Sequence, residues 1–369
     1  MHKGQAYREI EGSESTRPDR DPRCFMMGTA SRCGSAILSD SKAVALLLVV
    51  VLTAAACNNT AKRPVSETES SGDKHRATGL RVPDNLSEIA RQANVRSSTL
   101  LATAVKTTKN PNIRSAIQHP DYCDAAAETF DFRTLDMVSP VKDQGQCGAC
   151  WAFATNAVLE SSYLALRKEH ISASEQELIS CAPTGQFGER NCSGGWWAFD
   201  FLEKPGIESS SHYPYAGSDG ECRSPISVEF RTFVSGYVLD ASRVTTVPSD
   251  SQLKGAMCKH GPLAVAFNAT PAFSDFGWNN HSPSSIFAES DPGKVNHGIT
   301  LIGWDKDGWL IKNSWGPSWG INGLMRVRYG TNSIGFGAAW TEAWPKDYDP
   351  PKTMRVLIER SMATSKKPE

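Results

Sequence analysis

The stretch Gln144-Gly145-Gln146-Cys147-Gly148-Ala149-Cys150-Trp151-Ala152-Phe153-Ala154 decides the fold of this 369-residue chain. It opens a run from Trp151 to about Arg167 that lacks Pro and Gly and repeats apolar residues at helical spacing. That pattern predicts a helix with one face in the core. Cys150 would lie in its first turn, where unpaired N–H groups and the positive end of the helix dipole favour a thiolate. Cys150 is therefore a candidate nucleophile.

Two other interpretations of this cysteine are open. It could be a structural half-cystine, or Cys147 and Cys150 could form the dithiol of a thiol–disulfide oxidoreductase. In this chain the aromatic residue follows the pair instead of preceding it. No short strand–helix unit of the expected size surrounds the pair either, and both observations weigh against the redox interpretation.

Two segments far downstream supply partners for a reactive thiol. Val295–Ile299 contains His297, and Ile311–Gly316 contains Asn313. A histidine can take the thiol proton to form a thiolate–imidazolium pair, and an amide oxygen can hold the imidazole in the correct tautomer. Cys, His and Asn are therefore the trio that this chemistry requires.

The three segments together resemble the papain-like cysteine peptidases. C-G-A-C-W at 147–151 fits the papain and cathepsin signature, and the resemblance covers roughly Thr129 to Pro345. It implies an α+β chain with a papain-like two-domain fold, in which a helical left domain and a β-barrel-like right domain enclose an active-site cleft. Cys150 would lie on one wall of the cleft and His297 on the other.

The resemblance also implies roles for individual residues. Cys150 would attack the peptide carbonyl, and His297 would protonate the leaving amine and then activate water. Asn313 would orient His297, and Gln144 would contribute to the oxyanion hole with the Cys150 backbone N–H. The residues expected to contact substrate are Gly194, Gly195, Trp196, Val295, Asn296, Trp315 and Glu342.

Two of these substrate contacts have a simpler alternative. Alignment of residues 335–342 with the family segment that follows the last strands of the barrel places Glu342 at the floor of the pocket for the second residue before the cleaved bond, where its carboxylate would accept arginine. The alternative is a Glu342 that points to solvent, as most glutamates do. Trp315 is expected to shield the hydrogen bond between His297 and Asn313, and ordinary core packing is its alternative.

The chain has ten cysteines, six of them between positions 147 and 258. By family position, Cys147–Cys192 and Cys181–Cys222 should be disulfides, and Cys150 must stay free. Cys123 and Cys258 are left over. Either they pair, which would tie the lead-in segment to the right domain, or both are free.

The N-terminal part carries an export signal. Residues 43–56 are apolar or small, too few to span a bilayer but suited to a signal-peptide core. Cys57 follows directly and resembles the lipidation site of a bacterial lipoprotein, and an ordinary secretory signal cut nearby is the alternative. The predicted organisation is an N-terminal extension with signal peptide (1–57), a flexible linker (58–78), a possible short prosegment (79–125), the catalytic domain (126–345) and a C-terminal tail (346–369).

Elements outside the central helix are predicted as follows. Asp84 or Asn85 can cap a helix in the possible prosegment, and Ser174 opens a short helix with a capping box. An inhibitory role for that prosegment is a hypothesis, with a plain structural lead-in as the alternative. Strands are expected at Phe233–Leu239, Leu263–Phe267, His297–Trp304, Gly308–Lys312 and Gly323–Tyr329.

Composition narrows the function further. A net charge of −1 and a pI near 6.7 give no electrostatic case for nucleic acid. No metal or other cofactor is expected, because His260 and His281 have no partners at ligand spacing. We expect a monomeric cysteine endopeptidase that acts on extracellular or periplasmic proteins or peptides and touches a membrane only through a lipid on Cys57. The alternative is a papain-fold surface lipoprotein that binds ligands in a catalytically unused cleft.

Overall fold

The computed structural model describes residues 76–182, 188–223 and 228–348, together with Pro350, Met354 and Val356. The predicted signal segment, Cys57 and most of the tail from 346 lie outside the described residues. The helices of the described part are α1 (Leu86–Thr107), α2 (Pro111–Ile117), α3 (Cys150–Arg167), α4 (Glu175–Cys181), α5 (Phe199–Glu203), α6 (Asp250–His260) and α7 (Pro271–Asn279). The strands are β1 (Phe130–Asp131), β2 (Thr232–Tyr237), β3 (Leu263–Phe267), β4 (His297–Trp304), β5 (Gly308–Lys312), β6 (Leu324–Arg328) and β7 (Phe336–Ala343).

Helix α3 is the central element, as its sequence predicts. It begins at Cys150 itself, is buried from there to Leu164, and ends where Lys168 adopts a left-handed conformation. It packs against α4 on one side and against β3, β4 and β7 on the other. The helix that carries the candidate nucleophile is therefore clamped between the helical part and the sheet.

The right-hand part is a seven-stranded antiparallel sheet in the order β2-β7-β3-β4-β5-β6, with β1 paired to β4. The prediction of a barrel-like right domain is wrong, because the sheet does not close. Each end strand has another partner: Asn94 of α1 accepts the Tyr237 N–H of β2 at 2.7 Å, and Phe287 exchanges backbone hydrogen bonds with Arg326 and Arg328 of β6. Because the outer edges of β2 and β6 already have these partners, the two strands do not pair with each other.

The five predicted strands are present within two residues of their expected bounds. Ser174 caps α4, since its side chain accepts the Glu177 N–H, but the reciprocal bond of the predicted capping box is absent because the Ser174 N–H donates to the Glu208 carbonyl. Strand β7 was missed. Gly335 precedes the strand and Gly337 is its second residue, and both have positive φ, which breaks the alternation that marks a strand. Its place between β2 and β3 makes it a buried central strand all the same.

The lead-in segment packs as part of the body of the protein. Helix α1 is one continuous helix whose buried residues belong to both apolar cores. The Ser97 hydroxyl donates to the Ser235 carbonyl, and Arg96 forms an ion pair with Glu203 at 2.5 Å, both largely shielded from water. These contacts fix α1 against β2 and α5.

The two disulfides expected from the family resemblance, Cys147–Cys192 and Cys181–Cys222, are present. Cys123 and Cys258, for which both a pair and free thiols were open, form a third disulfide. This third bond joins the lead-in segment to α6. Cys150 is free and buried. Within the described residues, no helix is long and apolar enough to cross a membrane.

Candidate active site

Cys150 lies at the first position of α3, with Ala149 as the N-cap residue. The loop before it is fixed by the Cys147–Cys192 disulfide and by the Gly148 N–H, which donates to the Cys192 carbonyl at 2.8 Å. Because Cys147 is already bonded to Cys192, a Cys147–Cys150 redox pair is excluded in this structure. Burial raises the pKa of the Cys150 thiol to about 11, although the N–H groups of Gly298 and Gly79 oppose the rise. Burial therefore outweighs the backbone N–H groups around the sulfur in setting the pKa of this thiol.

His297 and Asn313 meet at the adjoining ends of two paired strands. Because Thr300 of β4 is opposite Lys312 of β5, the residue after β5 lies near the start of β4. His297 Nε2 is 2.8 Å from Asn313 Oδ1, as an orienting hydrogen bond requires. The other ring nitrogen, Nδ1, is buried and has no hydrogen-bond partner among the described residues. It is thus the nitrogen left to exchange a proton.

Trp315 covers the imidazole. Its ring centroid is 4.6 Å from that of His297, and the indole is 1% exposed. Burial lowers the pKa of His297 to about 4, while the hydrogen bond that Nε2 donates to Asn313 Oδ1 works in the opposite direction. The tryptophan therefore both packs in the core and excludes water from the histidine, so the two interpretations of Trp315 do not conflict.

Gln144 presents its side-chain amide to the cleft. Nε2 donates to the Ala77 carbonyl at 2.9 Å and to the Cys147 carbonyl at 2.8 Å. Its Oε1 accepts from the Ser314 hydroxyl at 2.7 Å, which fixes which end of the amide faces outward. The amide is thus held as a donor to a peptide carbonyl.

The cleft is occupied by residues 76–82, which we call the strap. The N–H groups of Gly79 and Leu80 donate to the Asn296 carbonyl at 3.1 and 2.8 Å. Gly195 donates its N–H to the Gly79 carbonyl at 2.8 Å and accepts the Arg81 N–H at 2.9 Å. Residues 76–78, predicted as part of a flexible linker, therefore lie in the cleft instead.

Glycines make this close approach possible. A Cβ on Gly79 would be 1.9 Å from the Gly148 carbonyl oxygen, and a Cβ on Gly194 would be 2.4 Å from the Gly79 oxygen. Gly195 lies against the ring of Trp151, where a Cβ would be 2.7 Å from the nearest ring atom. Any side chain at these positions would push the two backbones apart.

An apolar region lies beside Gly195. Leu80 is 5% exposed and belongs to the same buried cluster as Val295, Trp196 and Trp197. Trp196 Nε1 donates to the Tyr237 hydroxyl at 2.9 Å, so the indole is anchored to β2. The predicted contacts Gly194, Gly195 and Asn296 thus lie against the strap, and Trp196 and Val295 belong to the same buried cluster as Leu80.

The expected place of Glu342 is wrong in this structure. Its carboxylate is 6% exposed and lies 2.7 Å from His260 Nδ1 and 3.8 Å from His119 Nε2. Burial alone would raise the pKa of Glu342, but the two imidazoles outweigh it and lower the pKa to about 2. A strand residue can face only one side of its sheet, and Glu342 faces α6 and the lead-in segment, so it does not line the pocket. Alignment gives the strand position but not the partner of the side chain.

Sequence reasoning also missed a buried charged group behind the histidine. Lys142 Nζ lies 2.7 Å from both Glu160 and Glu175, and Lys312 Nζ donates to the Ser139 hydroxyl at 2.7 Å. These side chains line a small cavity that reaches Asn313 and Ser314. The sequence signal was Glu160, the one carboxylate within α3. No group of residues able to hold a metal ion is found among the described residues.

Comparisons with known proteins agree with this geometry. The family described as "Papain family cysteine protease" matches residues 126–341. "Digestive cysteine proteinase 3" of Homarus americanus is 36% identical over 210 residues, which are 54% of this chain and 61% of that protein. The chain thus spans about three fifths of the length of such curated relatives.

Two solved structures are similar in fold. The procathepsin L2 proteinase from the midgut of Tenebrio molitor larvae matches with a TM-score of 0.55 and 28% identity, over 73% of this chain and 79% of that one. The bromelain protease of Ananas comosus, solved with the E64 inhibitor, matches with a TM-score of 0.50 and 29% identity. That match covers 59% of this chain and 99% of that one.

Proposed function

This chain belongs to the papain family of cysteine proteases, and on that premise we propose that it hydrolyses peptide bonds with Cys150 as nucleophile and His297 as proton carrier. The observation that carries the proposal is the contact between Gln144 Nε2 and the Ala77 carbonyl, 2.9 Å apart. A peptide carbonyl already occupies the donor that an oxyanion would need. The His297–Asn313 pair completes the required groups.

The chemistry proceeds in two steps. His297 Nδ1 takes the thiol proton as the Cys150 sulfur attacks the carbonyl carbon, and negative charge develops on the oxygen beside Gln144 Nε2. The protonated Nδ1 then gives that proton to the departing amine as the C–N bond breaks. The acyl group is then a thioester on Cys150. Water attacks the thioester while His297 takes its proton, which releases the acid and restores the thiol.

The shape of the occupied cleft supports internal cleavage of chains. The strap passes through the whole cleft, from Arg76 beside Asp143 to Arg81 beside Glu189. An exopeptidase needs something that blocks one end, and the sequence contains no inserted loop with paired histidines of the kind that blocks the cleft in cathepsin B-like dipeptidases. We therefore assign endopeptidase activity on proteins or extended peptides.

The strap inhibits the enzyme in this proposal. Leu80 pairs with Gly195 in the parallel direction. If Gly195 binds residues before the scissile bond, as the family resemblance implies, the strap runs from the leaving-group side to the acyl side, opposite to a substrate. A reversed chain occupies the cleft without presenting a cleavable bond. The procathepsin match extends over 73% of this chain, against 59% for bromelain, which supports a prosegment in the lead-in.

Export belongs to the same proposal. Three disulfides in the described part fit an oxidising compartment. The apolar run 43–56 followed by Cys57 supports a bacterial signal peptide with lipid attachment, although both lie outside the described residues. Fractionation of wild type and Cys57→Ser tests the anchor: unchanged partition into detergent would contradict it.

Labelling with E-64 tests the catalytic assignment, because the similar bromelain structure is a complex with that inhibitor. After the strap is cut, we expect one label per chain, located on Cys150 by mass spectrometry and absent from Cys150→Ala. The His297→Ala variant should label far more slowly. A folded, strap-free protein that takes no label would overturn the peptidase proposal and favour the binding-protein alternative.

A further inference from the structure

On the leaving-group side of the cleft, the guanidinium group of Arg76 in the strap is held by two groups of the protein. Arg76 Nη2 is 2.9 Å from Asp143 Oδ2. The guanidinium carbon of the same arginine lies 5.8 Å from the centroid of the Trp278 ring. A carboxylate and an aromatic face thus meet one positive side chain, and both are groups that attract a guanidinium.

The carboxylate is positioned by the body of the protein. Asp143 Oδ1 accepts the Gly145 N–H at 2.8 Å, which leaves Oδ2 for the cleft. Gly316 lies so close that an added Cβ would be 2.9 Å from Oδ2. The backbone of Asp143 also bridges to Trp315, which covers the catalytic histidine. These contacts would persist after the strap leaves.

The positive side chain next to Asp143 in the sequence does not pair with its carboxylate. Lys142, the neighbouring residue, turns its ammonium group inward to Glu160 and Glu175 at 2.7 Å. The side chain of Asp143 is 40% exposed, so a substrate can reach it. Trp278 is half-buried in α7, beside the same opening.

The position of this pair along the cleft follows from the strap. Ala77 lies at Gln144, Gly79 lies at Cys150, and Leu80 lies at Gly195. Arg76 is therefore on the opposite side of the nucleophile from Gly195. We propose that Asp143 and Trp278 form a subsite for a basic side chain, arginine above all, within the first two residues after the scissile bond. This inference rests on the proposed function.

Paired peptides test the subsite. Each internally quenched peptide carries leucine at the second position before the cleaved bond and either arginine or its neutral isostere citrulline after it. With the full-length chain we expect kcat/KM to be roughly tenfold higher for arginine, the size expected for one partly exposed ion pair with a cation–π contact. Competition from the strap is the same for both peptides, so the ratio is unaffected.

Two variants localise the preference. Asp143→Asn keeps an oxygen for the Gly145 N–H and should reduce the arginine-to-citrulline ratio to about one, and Trp278→Leu should lower it in part. Asp275→Asn removes an exposed carboxylate from the same helix as Trp278 and should keep the wild-type ratio. A ratio near one in the wild type, or an unchanged ratio in Asp143→Asn, would overturn the subsite and leave the peptidase proposal standing.

A binding measurement keeps the inference testable without turnover. Calorimetry with Cys150→Ala should show roughly tenfold tighter binding of the arginine peptide than of the citrulline peptide, and Asp143→Asn in that background should remove the difference. If the wild type cleaves neither peptide, the proposed function fails, and this measurement still decides the subsite. Equal binding of the two peptides would then refute it.

Discussion

The side-chain amide of Gln144 donates to the carbonyl oxygen of Ala77 at 2.9 Å, so the donor expected to stabilise an oxyanion holds a carbonyl of the chain's own lead-in segment. The strap and a substrate therefore compete for the same hydrogen-bond donors. Activity of the intact chain then depends on how often the strap leaves the cleft.

Gly79→Ala should activate the intact chain. The new Cβ would be 1.9 Å from the Gly148 carbonyl oxygen, so the strap must move outward. We expect peptide hydrolysis to rise by about tenfold, which corresponds to about 1.4 kcal/mol of lost strap affinity. Gly255→Ala is the matched control, because its Cβ would meet nothing within 4 Å. Equal rates in Gly79→Ala and wild type, with equal hydrogen exchange at Ala77–Leu80, would show that the strap does not limit activity.

Gln144→Ala should lower kcat by roughly 10²–10³ in strap-free protein, as expected for the loss of one oxyanion donor. KM should change little, because the bond strengthens as charge develops on the oxygen. Gln146→Ala, at an exposed position two residues along, serves as the control. A comparable loss in both variants would indicate a damaged loop and not a missing donor.

Asn313→Ala should keep a measurable part of the activity, since Asn313 orients His297 and forms no bond with substrate. His297→Ala should lose activity altogether. The comparison is made on kcat/KM with one peptide substrate. Complete loss in Asn313→Ala, with the protein folded by circular dichroism, would mean that the amide does more than orient the ring.

Glu342→Gln should destabilise the fold most at mildly acidic pH. Glu342, with its pKa lowered to about 2, contributes stability above its ordinary pKa of 4.5 and loses the contribution as pH falls through about 2. Glu342 raises the pKa of His119, although burial opposes the rise. The stability that His119 contributes is therefore present below its ordinary pKa of 6.5 and is lost as the pH rises through the raised pKa. The loss should therefore be largest between about pH 4.5 and 6.5, at about 2–4 kcal/mol in urea unfolding.

Glu128→Gln removes an exposed carboxylate nine residues after His119 and serves as the control for this experiment. It should change the free energy of unfolding by less than about 0.5 kcal/mol at any pH. A Glu342→Gln effect that is equal at pH 5.5 and pH 9 would contradict the pairing with His119.

The elements that could be predicted from the sequence are those whose structure is determined by a local residue pattern. Helix α3 follows from an uninterrupted apolar period, and α4 from the Ser174 cap. The Cys150, His297 and Asn313 segments carry a recognisable motif. Each of these signals is complete within a short window of residues.

What sequence did not predict depends on partners far away in the chain. The carboxylate of Glu342 could have faced a pocket, solvent or a histidine, and only the packing of α6 and the lead-in segment decides among them. The open sheet depends on α1 and Phe287 reaching its two edges. The strap makes most of its contacts through its backbone and not through its side chains. Its sequence therefore carries no periodic pattern from which the strap could be predicted.

The most direct test of the account compares cleavage of a peptide library by purified wild type and Cys150→Ala. Both are assayed intact and after brief trypsin treatment that cuts the strap at Arg81, whose side chain is 50% exposed, with the trypsin inactivated before the assay. We predict that strap-free wild type produces a defined set of cuts and that Cys150→Ala produces none. The same cuts at the same rate from Cys150→Ala would contradict the assignment of Cys150 as the nucleophile and, with it, the function proposed for this chain.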